Sequence, residues 1–371
     1  MKKKLSEQKK INPLSLEDVP GIGPVAINLL KKEGFETTLQ LLCKTPIFLR
    51  DVTGMDKDKV GRAFAFMKKK LEESGHISIQ ETTATQLYQQ RMKIKRVSIG
   101  CQALDRLLNG GVECKSITEF YGEPGSGKTQ ISHTLAIQVQ RPISEGGLLE
   151  DVKNPPIVLY IDTENTCRPE RFISILIGKG LIPDFPSTLK QKILDFKELT
   201  SDDVATYTKI QEQQMIQSKP FTDRIEVLRA RNAHAQFIIV QNAIKICQHV
   251  NVKMIIMDSG TALFRSDYLG RGNTKAKFDL LNEMIHDLKS IAENYNIPVI
   301  FMNQIYHSPE QMYGKDEDIP YGGNIIGHAI PYRIKLEHFI KTNKATIMKS
   351  PYQANDDVKF KVTEAGIVDV E

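Results

Sequence analysis

From Val97 onward, this chain of 371 residues repeats one pattern: a short apolar run, a polar cluster, then an amphipathic stretch. Ser116–Tyr121 leads into a glycine-rich segment. Ile157–Ile161 ends in Asp162-Thr163-Glu164, and Ile225–Leu228 in Arg229-Ala230-Arg231. Met254–Met257 ends in Asp258-Ser259, and Pro298–Met302 in Asn303-Gln304. Continuous apolar runs of this length predict strands buried on both faces. Between them apolar residues recur at helical spacing: Ile131, Leu135 and Val139 form one stripe, and Phe278, Leu281, Ile285, Leu288 and Ala292 another. Strands alternating with helices predict a mostly parallel sheet covered by helices, spanning residues 97–371. Its ligand is expected at the carboxyl ends of the strands, where the polar clusters lie. Cys101–Leu108 reads as a short amphipathic helix closed by Gly110-Gly111, and Tyr332–Val370 as an antiparallel extension of alternating strands.

Upstream the period changes. Residues 1–10 form a basic tail, and residues 1–70 as a whole predict a small all-α domain. A helix from Val25 to Glu33, stopped by Gly34, follows Pro20-Gly21-Ile22-Gly23-Pro24; a looser copy at Phe48–Met55 precedes a helix through Ala63 and Phe66. The helix–PGIGP–helix pattern is that of a helix-hairpin-helix module, whose turn at Gly21 and Gly23 would offer backbone N–H groups to a DNA phosphate. The alternatives are a helical bundle with a tight turn, or a module used only for protein contacts. Residues 71–96 read as a linker, with Ile77–Ala84 alternating like an exposed strand and Gln86–Arg96 polar and basic.

Three further segments break the α/β pattern. Arg265–Lys277 and Tyr306–Gly327 look like long loops, and long loops in a compact fold are commonly functional. Residues 181–222, polar and rich in Gln and Lys, read as an irregular surface insertion.

Composition adds little. With 50 basic and 45 acidic residues the net charge is +5, a weak pointer to a polyanionic partner. The five cysteines form no C-x-x-C pair, which suits reduced thiols in a cytoplasmic protein. No apolar stretch approaches the length of a membrane span, and the basic N-terminus lacks the apolar run of a signal peptide.

The chemistry concentrates at Gly122-Glu123-Pro124-Gly125-Ser126-Gly127-Lys128-Thr129-Gln130. It fits G-x-x-x-x-G-K-[ST] between a predicted strand and a predicted helix, the arrangement that cradles nucleotide phosphates. Glycines let successive N–H groups face the phosphate oxygens, Lys128 adds a point charge, and Thr129 supplies a hydroxyl for Mg²⁺ at a helix N-terminus. Asp258 would hold Mg²⁺ at the end of its strand. Glu164 is the preferred base for orienting an attacking water, with Asp162 the alternative. Gln304 could donate to the γ-phosphate and report it to the segment that follows. Arg265, Arg271, Lys275 and Lys277 would supply charge to a phosphodiester backbone, and Tyr268 a stacking surface.

These residues resemble the RecA-type strand-exchange ATPases, in particular the archaeal recombinases and their eukaryotic relatives. The resemblance rests on GEPGSGKTQ at 122–130, YIDTEN-x-x-RPER at 160–171, MIIMDSGTALFRSDYLGRG at 254–272, NQI at 303–305, IPYGGNIIGHA at 319–329 and the PGIGP module. It implies a RecA-like ATPase core using ATP and Mg²⁺, with segments 265–277 and 306–327 as first and second DNA-binding loops. Arg168 and Arg171 would line the nucleotide pocket, Pro320 would cap ATP across a subunit interface, and His328 would lie in the ATP-to-DNA coupling region. Implied partners are single- and double-stranded DNA, further copies of the chain in a filament or ring, and mediator proteins, in a nucleoid-associated setting.

The chain departs from the pattern in places. The family's linker carries a Phe that fills a pocket on the neighbouring subunit, with an Ala three residues on; here Ala84 keeps the frame but Glu81 takes the Phe position, so either Ile79 substitutes or the neighbour's pocket has changed. Asn165 and Cys167 replace a Gly and a Phe, Lys277-Phe278 replaces an Arg-Gln pair, and segment 181–222 is longer than the family requires. The alternative readings are a divergent accessory paralogue that does not itself exchange strands, and a RecA-fold regulatory ATPase acting on protein.

Overall fold

The computed structural model describes residues 15–35, 37–42, 44, 46–73, 83–186, 191–192, 200–267, 274–306 and 319–370. The chain divides into two compact units, residues 1–92 and 93–371.

The first unit is helical: α1 Pro24–Lys32, α2 Thr38–Leu42, α3 Pro46–Thr53 and α4 Lys57–Glu73. Its core gathers Leu16, Val19, Ile22, Ile27, Leu30, Leu49, Val60 and Met67. Ile22 is buried between the exposed Gly21 and Gly23, so one side chain anchors the turn while its flanking backbone faces outward. Gly21 has φ +89°, where a Cβ would be strained, and Pro24 opens α1 at a position that needs no N–H.

Ala84–Arg91 forms α5, where a strand end and a polar linker were expected. The local reason is a capping box: Gln86 N–H donates to Thr83 Oγ1 (3.2 Å), and Thr83 N–H donates to Gln86 Oε1 (2.9 Å). Ala84 is therefore the first residue of a helix. Ile79 lies outside the described residues.

The second unit begins at Lys93, ahead of the expected boundary, because β1 (Arg96–Val97) pairs with β2 (Val112–Glu113), flanking α6 (Gln102–Leu107). There follow β3 Ile117–Gly122, α7 Lys128–Gln138, β4 Ile157–Asp162, α8 Pro169–Gly178, α9 Ser201–Thr222 and β5 Ile225–Arg229. Next come α10 Ala233–His249, β6 Val252–Asp258, α11 Ala262–Asp267, α12 Thr274–Tyr295, β7 Val299–Tyr306, β8 Ile319–Pro320 and α13 Gly323–Ala329. The chain ends with β9 Tyr332–His338, β10 Asn343–Lys349, β11 Asp357–Thr363 and β12 Gly366–Asp369.

Among the described residues, ten strands make one sheet, ordered β12-β11-β10-β9-β3-β7-β6-β4-β5, with β8 beside β7. From β9 to β5 every pairing is parallel. The terminal segment is thus antiparallel only from β10 onward: β9 pairs in parallel with β3 and so belongs to the main sheet. Alternate residues explain the unbroken apolar runs. Val158, Tyr160, Met254, Ile256, Ile300 and Met302 face a core shared with α7 and α8. Leu159, Ile161, Ile255, Met257, Val299 and Phe301 face a second core shared with α10 and α12. This is the expected mixed α/β architecture, a largely parallel sheet covered by helices.

Residues 200–222 are not irregular. Thr200 and Asp203 form a capping box that starts α9, and buried Gln214 donates to the Pro183 carbonyl at 3.0 Å. Gln and Lys are good helix formers once such a cap and a packed face exist. The two expected loops are likewise shorter than their sequences suggest: Arg265 sits on α11, Lys275 and Lys277 on α12, and residues 319–329 form β8 and α13. Tyr268, Arg271 and residues 307–318 lie outside the described residues.

At Gly122, β3 approaches β9 so closely that a Cβ would stand 2.1 Å from the Leu336 carbonyl oxygen. Gly122→Ala is expected to lower stability by about 1–3 kcal/mol, read as a reduced denaturation midpoint.

Candidate functional site

Level strand ends assemble the site. In register, Gly122 on β3 stands opposite Gln304 on β7, and Asp162 on β4 opposite Asp258 on β6. A cavity of about 560 Å³ opens at this edge. On one side it is lined by Pro124, Gly125, Gly127, Lys128, Thr129 and Gln130, and on the other by Glu164, Asp258, Ser259 and Gln304.

The phosphate-loop backbone is shaped by two glycines in the left-handed region, Gly125 (φ +82°) and Gly127 (φ +96°), the latter opening α7. Lys128 Nζ donates to the carbonyl oxygens of Gly122 (2.8 Å) and Glu123 (2.7 Å) and reaches Ser126 Oγ at 3.4 Å. Gly122, Glu123 and Ser126 therefore act on the lysine and the loop backbone without lining the cavity. Burial lowers the Lys128 pKa, opposed by the nearby carboxylates of Asp258, Glu164 and Glu123.

Asp258 is the buried acid of the site. Desolvation raises its pKa to about 6, against hydrogen bonds from Tyr160 and Thr129 that favour the charged form. The Tyr160 hydroxyl donates to Asp258 Oδ2 at 2.7 Å. A Thr hydroxyl beside a buried carboxylate is a hard-oxygen donor set that fits Mg²⁺, so Thr129 and Asp258 could hold it.

Asp162 and Glu164 separate clearly. Asp162 is buried and accepts from the backbone N–H groups of Thr166 (3.1 Å) and Cys167 (3.2 Å), which shapes the turn after β4. Glu164 is exposed into the cavity, where Gln304 Nε2 donates to its Oε1 at 2.7 Å. That bond spans from β4 to β7 over the end of β6, where Asp258 lies.

Other expected residues lie elsewhere. Arg168 donates to the carbonyl oxygens of Asn165 (3.0 Å) and Cys167 (3.3 Å). Arg171 donates to Gln130 Oε1 (2.6 Å) and to the Thr363 and Glu364 carbonyls between β11 and β12. Neither arginine lines the cavity, and neither does Pro320, which pairs with Ile305 in the β7–β8 ladder. His328 is exposed on α13, and Arg265 is exposed on α11.

The cavity also takes residues not foreseen: His338, Ile340, Lys341, Asn343 and Val362, from the β9–β10 hairpin and β11. Asn343 Nδ2 donates to the Ser126 carbonyl at 3.1 Å, bracing the loop from a strand far along the chain. Only the parallel placement of β9 beside β3 brings them there. Tyr160 did carry a signal, as a lone hydroxyl within an aliphatic strand.

A family model described as Rad51 matches residues 90–187 and 200–370. This chain belongs to the Rad51 family. The DNA repair and recombination protein RadA of Cenarchaeum symbiosum (strain A) is 35% identical over 362 residues, covering 97% of this chain and 80% of that protein. The Rad51-family match passes over residues 188–199, within the segment that looked too long. No helix among the described residues is long and apolar enough to cross a membrane.

The raised pKa of Asp258 has a consequence for stability. Between pH about 4 and about 6 the unfolded chain has lost a proton that the folded protein still holds, so stability falls as pH rises through this window. Asp258→Asn removes the group. In EDTA, its stability relative to the parent should rise by roughly 1–3 kcal/mol from pH 4 to 6.5 and stay level above, as checked by denaturation at each pH.

Proposed function

We propose that this chain is a DNA-dependent ATPase that forms filaments on single-stranded DNA and catalyses homologous pairing and strand exchange in recombination and repair. One observation carries the reading furthest: the Gln304–Glu164 hydrogen bond across the candidate nucleotide cavity, in a member of the Rad51 family. It couples the residue proposed to orient water to Gln304 on β7, the strand that runs into segment 306–327.

Each residue has a role in this reading. Backbone N–H groups of Gly125–Thr129 would bind the phosphates, and Lys128 would exchange its loop carbonyls for the outer phosphate oxygens. Mg²⁺, when bound, neutralises phosphate charge, and Thr129 and Asp258 would be its ligands. Glu164 would orient the attacking water, with Gln304 fixing the carboxylate and sensing the γ-phosphate. Arg168, Arg171 and Gln130 would flank the nucleotide, and Pro320 would cap the site of an adjoining subunit. Arg265, Tyr268, Arg271, Lys275 and Lys277 would contact the DNA backbone, Gly21 and Gly23 would offer N–H groups to duplex phosphates, and His328 would pass the signal between sites. Ile79 and Ala84 would join subunits. Single- and double-stranded DNA, further copies of the chain and mediator proteins are the partners of this reading.

The test is strand exchange between a single-stranded circle and its homologous linear duplex, with ATP and with a non-hydrolysable analogue. Joint molecules and filaments in electron micrographs are expected with both. Lys128→Ala should lose nucleotide binding and joint molecules together. Absence of joint molecules despite DNA-stimulated ATP turnover would defeat the strand-exchange reading.

A further inference from the structure

Tyr321 sits where three parts of the core meet, and no role attaches to it so far. Its backbone N–H donates to the Gln304 carbonyl at 2.9 Å, and its own carbonyl accepts from Asn303 Nδ2 at 2.8 Å. Both main-chain groups are thus tied to the end of β7, beside the bond to Glu164. Its ring lies under Lys277, with Nζ 4.7 Å from the centroid, and its hydroxyl reaches the Phe264 carbonyl at 3.4 Å. Phe264 belongs to α11 and Lys277 to α12, so one side chain touches the elements on both flanks of residues 268–273.

The attachment to β7 is stiff. Asn303 is buried, and besides Tyr321 it donates to Glu119 Oε1 (2.7 Å) and accepts from Thr261 Oγ1 (2.6 Å) and the Gln304 N–H (2.8 Å). All four of its hydrogen-bonding positions are used. Glu119 is in turn held by Arg333 from β9. A shift of Gln304 therefore reaches the backbone of Tyr321 with little slack at Asn303.

From this convergence we infer that Tyr321 is a positioning residue that joins the nucleotide-sensing end of β7 to both DNA-contacting segments, so that nucleotide occupancy sets affinity for single-stranded DNA through its ring. The inference rests on the reading of Arg265–Lys277 and Tyr306–Gly327 as DNA-contacting. A cation–π contact of this kind shifts an equilibrium by about twofold to thirtyfold.

The test measures coupling as the ratio of dissociation constants for a fluorescein-labelled single-stranded oligonucleotide without and with a non-hydrolysable ATP analogue, by anisotropy. Tyr321→Leu is expected to lower this ratio about fivefold while nucleotide affinity without DNA stays at the parent value. Lys277→Met should lower DNA affinity in both states and also lower the ratio, and the double variant should lower it no further than the stronger single one. Tyr321→Phe, which keeps the ring, should retain most of the coupling. An unchanged ratio in Tyr321→Leu overturns the inference. If that variant does not fold, as judged by its melting curve, an unchanged ratio in Lys277→Met overturns it instead. A ratio of one in the parent protein removes the recombinase reading and this inference with it; loss of coupling in the variants alone supports both.

Discussion

A run of parallel strands that end level is the constraint from which the site follows. β3, β7, β6 and β4 lie side by side, so the residue that leaves each strand projects over the same edge. Parallel pairing makes this automatic, since every strand points its carboxyl end the same way. Four clusters far apart in sequence then share one cavity: the phosphate loop, Gln304, Asp258 and Glu164. The requirement that both sheet faces be buried is what makes the strands largely apolar runs, with their polar residues gathered mainly toward the carboxyl ends.

Burial also sets the chemistry. Asp258 sits deep enough that its charge is disfavoured, yet it accepts from Tyr160 and Thr129, so its carboxylate is held in one orientation. Asp162, one strand away and equally buried, spends its oxygens on backbone N–H groups. Glu164 is exposed and held from the side by Gln304. Three acids within one short edge thus differ in what binds them.

Much of this was legible in the sequence because it is local. The apolar runs, the helical stripe of α12 and the phosphate loop each need only neighbouring residues to be recognised. Signals that depend on distant pairing were not legible. The hairpin that brings His338, Ile340 and Asn343 to the cavity looks like any antiparallel turn until β9 is known to lie beside β3. The choice between Glu164 and Asp162 needed the hydrogen bonds of the turn between them. Local cues were also misread: Thr83-x-x-Gln86 and Thr200-x-x-Asp203 are cap signals, but the polar composition around them suggested a linker and an irregular insertion.

The strand that carries the phosphate loop has no neighbour from its own part of the chain. β3 is flanked by β7 and β9, and the loop is braced by Asn343. During synthesis, a chain that has passed Thr129 owns every residue of the nucleotide cradle but neither wall that shapes it. The cradle can take its final form only after β7, β9 and Asn343 have also emerged. Closure of such distant pairings is also the slow kind of folding event. Any partner that holds the growing chain before His338 would therefore hold a protein that contains the motif but not the site.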